Sequence, residues 1–194
     1  MFFRNVPRFE WLVLTLFILL GIASRFFLAE MPNFKPVAAM VLFGGFYFRN
    51  SMLAVIGVIA VMALSDYRLG GYSWPLMISV YLSLALAAVL GREIRKRFGE
   101  ELRGWWWPVS FLGASLGMST VFYLLTNGVV WMVEGWYPMT FAGLLECYIA
   151  AIPFYRWTLA SDLVFTGVFV ASYALAIRMA GSAVKRGDKG NQLA

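Results

Sequence analysis

Histidine is absent from the 194 residues, and cysteine occurs once, at Cys147. Without histidine the chain cannot build a Ser-His-Asp or Cys-His catalytic arrangement of its own, nor a Cys/His metal cluster. A lone cysteine forms no intramolecular disulfide, and in its apolar stretch Cys147 reads as a small core residue. Charge is scarce as well, at 13% of residues against roughly a quarter in soluble domains. No glycine-rich nucleotide-binding loop is present. Any ATP hydrolysis must therefore come from a partner, and no cofactor is expected.

What fills the chain is apolar: 61% of residues are hydrophobic, and the mean hydropathy is +0.75. A water-soluble domain of this length lacks the interior volume to hide so much apolar surface. A bilayer solvates it instead. The apolar runs are continuous rather than alternating, which argues against lipid-facing strands. Lys and Arg outnumber Asp and Glu by 16 to 10, but they sit in short clusters beside apolar spans. The membrane explains them, and nucleic acid is not an expected partner. The fold class is an all-α membrane protein, a compact bundle of about six transmembrane helices occupying residues 1–181.

The first helix is expected from Trp11 to Ala29. Its apolar run is long for a signal peptide, and further spans follow it. Prolines at Pro32 and Pro36 punctuate the turn that ends it. Val37 to Phe48 is short for a straight span. Arg49 and Asn50 separate it from a run over Ser51 to Ser65, and Asp66 to Gly71 forms a polar, glycine-rich loop. Trp74 to Gly91 is the fourth helix, Arg92 to Arg103 a charged loop, and Pro108 to Thr126 the fifth helix. Asn127 to Pro138 reads as a loop, and Thr140 to Ile152 as a short segment dipping in on the outer side. Pro153 breaks that segment. Leu159 to Met179 is the last helix, and residues 182–194 are expected to form a flexible cytoplasmic tail.

Charge sets the expected orientation. With both termini in the cytoplasm and six crossings, twelve basic residues fall inside and four (Arg25, Lys35, Arg68 and Arg156) fall at the outer side. Lysine and arginine favour the cytoplasmic side. Merging residues 37–65 into one helix would bury Arg49 near mid-membrane and send Arg4 and Arg8 outward. A seven-crossing arrangement would export the basic tail.

Buried charge is costly in a bilayer, so polar residues in the spans are the best functional pointers. Arg25, Asp66, Asn127, Glu146 and Asp162 all fall in the expected outer half. Trp131 and Tyr148, with Trp74, Trp136, Tyr137 and Phe154, could supply flat surfaces to a ring-shaped solute in an outward cavity. The candidate substrate-binding set is thus Arg25, Asp66, Asn127, Trp131, Glu146, Tyr148 and Asp162. The same residues have a purely structural reading: Arg25 could snorkel or pair with Asp66 or Asp162, and the aromatics could form an interfacial belt. Ala87-x-x-x-Gly91 and Gly113-x-x-x-Gly117 would allow close helix contacts.

At Pro32-Asn-Phe-Lys-Pro-Val-Ala-Ala39 and Leu42-Phe-Gly-Gly-Phe-Tyr47 the chain resembles an uncharacterised family of small bacterial membrane proteins. The likeness continues through Leu64-Ser-Asp66, Thr126-Asn-Gly-Val-Val-Trp131, Tyr137-Pro-Met-Thr140, Cys147-Tyr-Ile-Ala-Ala-Ile-Pro-Phe154 and Asp162. More distantly, the layout is similar to the substrate-binding S-components of energy-coupling factor transporters. That resemblance implies uptake across the bacterial inner membrane of a small solute such as a vitamin or related ring compound. It also implies a transmembrane coupling subunit with ATPases as partner. S-components carry Ala-x-x-x-Ala in helix one, where this chain has Gly21-Ile-Ala-Ser-Arg25. Solute capture is therefore the leading expectation, with a subunit or a solitary transporter as its two forms. A structural or assembly protein would instead pair all its polar groups internally. A membrane enzyme would need converging carboxylates such as Asp66 and Asp162.

Overall fold

The computed structural model describes residues 7–31, 33–98 and 105–191, with side chains as far as residue 179. Arg4, Pro32, the stretch 99–104 of the charged loop and residues 192–194 of the expected tail lie outside the described residues. Within them the chain is all-helical: α1 (Arg8–Phe27), α2 (Val37–Tyr47), α3 (Met52–Leu69), α4 (Trp74–Phe98), α5 (Trp106–Val133) and α6 (Phe141–Asn191). All except α2 are long and apolar enough to cross a membrane. The protein is a multi-pass membrane bundle.

Each long helix shows a helical period in what it buries. On α3 the buried positions are Leu53, Ala54, Gly57, Val58, Val61, Met62, Ser65 and Asp66. On α5 they include Trp107, Phe111, Ser115, Met118, Ser119 and Thr126. The opposite faces are apolar too, as lipid contact requires: Leu112, Leu116 and Leu124 of α5 are exposed.

The short α2 is different. It is apolar all round, and nine of its eleven residues are buried. A helix without a polar face belongs inside a bundle, and α2 contacts all five other helices. Its closest neighbour is α4, where glycine makes the approach possible: a Cβ on Gly45 would lie 2.1 Å from the Ala88 carbonyl oxygen, and one on Gly91 would lie 2.0 Å from that of Leu42. The expected Ala87/Gly91 contact on α4 is thus present. Gly113 and Gly117 are not used this way. They lie on the exposed side of α5 with nothing within 4 Å.

Four expected breaks are helical, wholly or in part. Of the expected glycine-rich loop, Asp66 to Leu69 form the last turn of α3. The charged segment from Arg92 continues α4 to Phe98. Arg95 Nη1 then reaches the Phe46 and Tyr47 carbonyls at 3.1 and 2.7 Å, a cation at the C-terminus of α2. The expected loop at Asn127 continues α5 to Val133, and within it Thr126 Oγ1 and Asn127 Nδ2 donate to the Phe122 and Tyr123 carbonyls, one turn back. The stop comes later, at Glu134 and Gly135, whose φ of 69° ends the helix in the left-handed region.

The separate dipping segment does not exist either: residues 141–179 are one helix that passes through Pro153. Membrane helices tolerate proline when neighbours satisfy the backbone groups it frees. Here the freed carbonyl is that of Ile149; α5 packs alongside, and its Tyr123 Oη donates to the neighbouring Tyr148 carbonyl at 2.7 Å rather than to the freed one. The helical backbone runs on to Asn191, into the segment expected as a tail.

At 1.5 Å per residue α2 is about 16 Å long, roughly half the hydrocarbon thickness. Below its middle the bundle is filled by aromatic packing. Phe43, Phe46, Phe111, Phe169 and Tyr173 lie with ring centroids 5.1–6.3 Å apart in the Phe46–Phe111, Phe46–Tyr173, Phe43–Phe169 and Phe43–Phe111 pairs. Above its N-terminus no helix continues the axis.

Candidate functional site

That space is a cavity of about 500 Å³. Val37 and Ala38 of α2 form its floor, and its walls include Arg25 of α1, Met62 of α3, Ser83 of α4, Phe122 of α5, and Thr158 and Asp162 of α6. The loops around Asn33 and Lys35 and around Gly70, Gly71 and Tyr72 form its rim. A neighbouring lobe of about 180 Å³ shares Asn33, Tyr72, Phe122 and Thr158, and adds Tyr123, Thr126, Asn127, Ala151, Phe154 and Tyr155. Tyr123 and Tyr155 pack with ring centroids 4.7 Å apart and their planes tilted by 36°. One lobe carries charge, the other carries rings.

Four ionisable groups stand at the charged lobe, and two of them are joined. Arg25 Nη1 lies 2.7 Å from Asp66 Oδ1 in an ion pair with both side chains buried. Arg25 also donates to Ser65 Oγ at 2.5 Å and to the Met62 carbonyl at 3.4 Å. Tyr81 Oη donates to Asp66 Oδ2 at 3.1 Å. Of the two acids expected to reach Arg25, Asp66 does so.

Among the described residues Asp162 takes no basic partner. Its Oδ2 accepts from Ser119 Oγ at 2.6 Å, and the residue is 4% exposed. Beneath it Thr166 Oγ1 donates to Ser115 Oγ at 3.3 Å. Lys35, in the loop between α1 and α2, also has no acid: Nζ donates to the Met31 carbonyl at 3.1 Å. The loop is docked on α6 through its backbone, where Ser161 Oγ donates to the Lys35 carbonyl at 2.8 Å. Burial and, second, the neighbouring Arg25 charge lower the Lys35 pKa below the ordinary lysine value.

The sequence-based candidates therefore separate. Arg25 and Asp162 line the large lobe, Asn127 lines the small one, and Asp66 sits behind Arg25. Trp131, Glu146 and Tyr148 line neither lobe. Trp131 Nε1 donates to the Pro138 carbonyl at 2.9 Å, Tyr148 Oη donates to the Leu124 carbonyl at 2.8 Å, and Glu146 is exposed. Those three were placed by an outer loop and a dipping segment that are in fact regular helix, which turns them away from the interior. Of the aromatics expected to offer flat surfaces, Phe154 lines the small lobe and Trp131 does not. At the rim, Ser73 donates a hydrogen bond to Glu134, tying the α3–α4 loop to the end of α5. Sequence reasoning missed Lys35, Ser119, Tyr72 and Tyr81. Lys35 carried a signal: it is the one basic residue in a proline-bounded turn that leads into an entirely apolar run.

A family model described as a family of unknown function (DUF6580) matches residues 5–184. The chain belongs to that family. No curated protein and no solved structure matches it. Among the described residues no group of His, Cys, Asp and Glu could hold a metal ion.

Proposed function

We propose that this DUF6580 protein captures a small solute from the outer side of the membrane, as a substrate-binding subunit or a solitary transporter for uptake. The observation that carries the reading is the 500 Å³ cavity with Arg25, Lys35 and Asp162 on its walls. Its volume falls in the range of small-molecule sites, about 300–1,000 Å³. Charge within membrane-spanning helices is costly unless it faces a partner or a water-filled cavity. The aromatic packing beneath α2 closes the inner side, as a capture state requires.

Orientation belongs to the same proposal. Arg49, Arg92, Arg95, Lys96 and Arg97 stand at the end of the bundle remote from the cavity. The positive-inside tendency puts that end in the cytoplasm of a bacterial cell and the cavity outside. A coupling subunit with ATPases is the proposed partner if the chain is a subunit. Its docking would have to accommodate Gly21 and Arg25 in α1, where S-components carry alanines. A ring compound suits the Tyr123 and Tyr155 lobe.

A scaffold role is favoured for one pair only. Arg25 and Asp66 satisfy each other with help from Ser65 and Tyr81.

The test uses one introduced cysteine at a time in a Cys147→Ala background. Ala38→Cys, on the cavity floor, is expected to react in intact cells with a membrane-impermeant maleimide, and Arg92→Cys only after permeabilisation. The reverse pattern overturns the orientation. An Ala38→Cys that stays unlabelled from both sides overturns the open cavity.

A further inference from the structure

This inference rests on the capture reading and concerns what the cavity recognises. Arg25 and Asp66 cancel each other. What remains on the walls of the same lobe is one cation, Lys35, and one anion, Asp162. No ion pair joins them, although the Lys35 backbone is hydrogen-bonded to Ser161, the residue next to Asp162. Among the described residues Nζ of Lys35 has only the Met31 carbonyl, and the Asp162 carboxyl has only Ser119. The lobe is therefore neutral in sum but has two opposite poles, neither balanced by protein.

Each pole has further support. Lys35 leads directly into the first turn of α2, which no side chain caps. The free amides there and the positive end of the helix add to the lysine. The Asp162 carboxyl is held in place by Ser119 on α5. The adjoining lobe offers Phe122, Tyr123, Phe154 and Tyr155, with Asn127 and Thr126 as its polar groups. Tyr72 and Thr158 border both lobes.

The geometry points to a small zwitterion carrying a flat ring, with its anionic group at Lys35 and the α2 N-terminus, its ammonium at Asp162, and its ring between the aromatics of the small lobe. A solute with one charge leaves the opposite pole unbalanced in a half-buried site. A buried charged group without a partner is costly. This same cost makes the recognition selective: the wrong solute is refused by the pole that it cannot pair.

Binding to the purified full-length protein in nanodiscs tests the idea, with four probes. L-tryptophan carries both charges and a ring. Indole-3-propionate and tryptamine each keep the ring and lose one charge. Glycine keeps the charges and loses the ring. L-tryptophan is expected to bind tighter than either singly charged indole by about tenfold or more, the effect of one charge-assisted hydrogen bond. Glycine should be weaker still. Lys35→Gln should remove the advantage over tryptamine, and Asp162→Asn the advantage over indole-3-propionate. The first substitution removes a side chain whose Nζ binds only a backbone carbonyl, and the second keeps the shape that accepts from Ser119, so both variants should fold. Equal binding of a singly charged indole, with the variants indifferent to charge, overturns the zwitterion while capture stands. No binding by any probe overturns it too. In that case Ala38→Cys labelling decides whether the open cavity falls with it.

Discussion

Arg25 with Asp66, and Lys35 with Asp162, stand at one cavity and handle charge in opposite ways. The first two are 2.7 Å apart, and Ser65 and Tyr81 each add a hydrogen bond to the pair. The second two do not meet. Asp162 relies on a serine, and Lys35 relies on a backbone carbonyl. A closed pair holds α1 against α3. An open couple leaves free energy to be gained when something enters. The contrast separates two charges that satisfy each other from two that, on the proposed reading, are available to a solute; three of the four lie in helices, and Lys35 lies in the loop between α1 and α2.

Breaking the closed pair should have the largest effect. Asp66→Ala leaves the Arg25 guanidinium buried without its acid and should destabilise by about 3–5 kcal/mol. Denaturant titration in detergent would measure it. Replacing both partners, Arg25→Met with Asp66→Leu, should recover most of that loss, since an apolar pair of similar volume removes the unpaired charge. If the double variant is no better than Asp66→Ala, the pair is not the closed unit described above.

Ser119→Ala comes next. It strips the Asp162 carboxyl of its single donor and should cost about 1–3 kcal/mol. Ligand-free protein is the right material for this measurement, because a bound ammonium would mask the loss.

The smallest effect, and the most telling in sign, belongs to Lys35→Gln. Burial and the Arg25 charge disfavour the Lys35 cation and lower its pKa. The folded state therefore binds fewer protons than the unfolded state at alkaline pH. Stability of the empty wild type should rise with pH in the window from the lowered pKa up to 10.5, the ordinary lysine value. Lys35→Gln should flatten that rise, and at neutral pH it should be neutral or slightly stabilising. A clear destabilisation would mean that Lys35 belongs with the closed pair.

Much of the architecture could be read in advance because membrane helices declare themselves by apolar length. The separation of α2 from α3 at Arg49 and Asn50 followed from the cost of placing an arginine at mid-membrane, and the helices do part there. The errors came from punctuation. Asn127 and Gly128 resemble a helix end, yet Asn127 bonds back to Tyr123, and Gly128 lets Tyr148 Oη approach closely, 3.2 Å from where a Cβ would lie. Pro153 resembles a break, yet α6 runs through it, packed alongside α5. Each misreading rotated later residues out of the imagined site, which is why Trp131, Glu146 and Tyr148 were placed at a cavity that they do not line.

By itself the amino-acid sequence determined that this chain lives in a bilayer, that it is helical, and where the costly charges lie. Those follow from composition and from the free energy of moving side chains out of water, which are local quantities. Only the tertiary structure decided which charges meet. Arg25 and Asp66 are 41 positions apart, as are Asp162 and Val121 of α5, yet Asp162 chooses Ser119 because α5 and α6 pack in that register. The cavity itself is a tertiary outcome: a helix too short to cross, held at the centre by Gly45 and Gly91, leaves the space above it for whatever the remaining two charges accept.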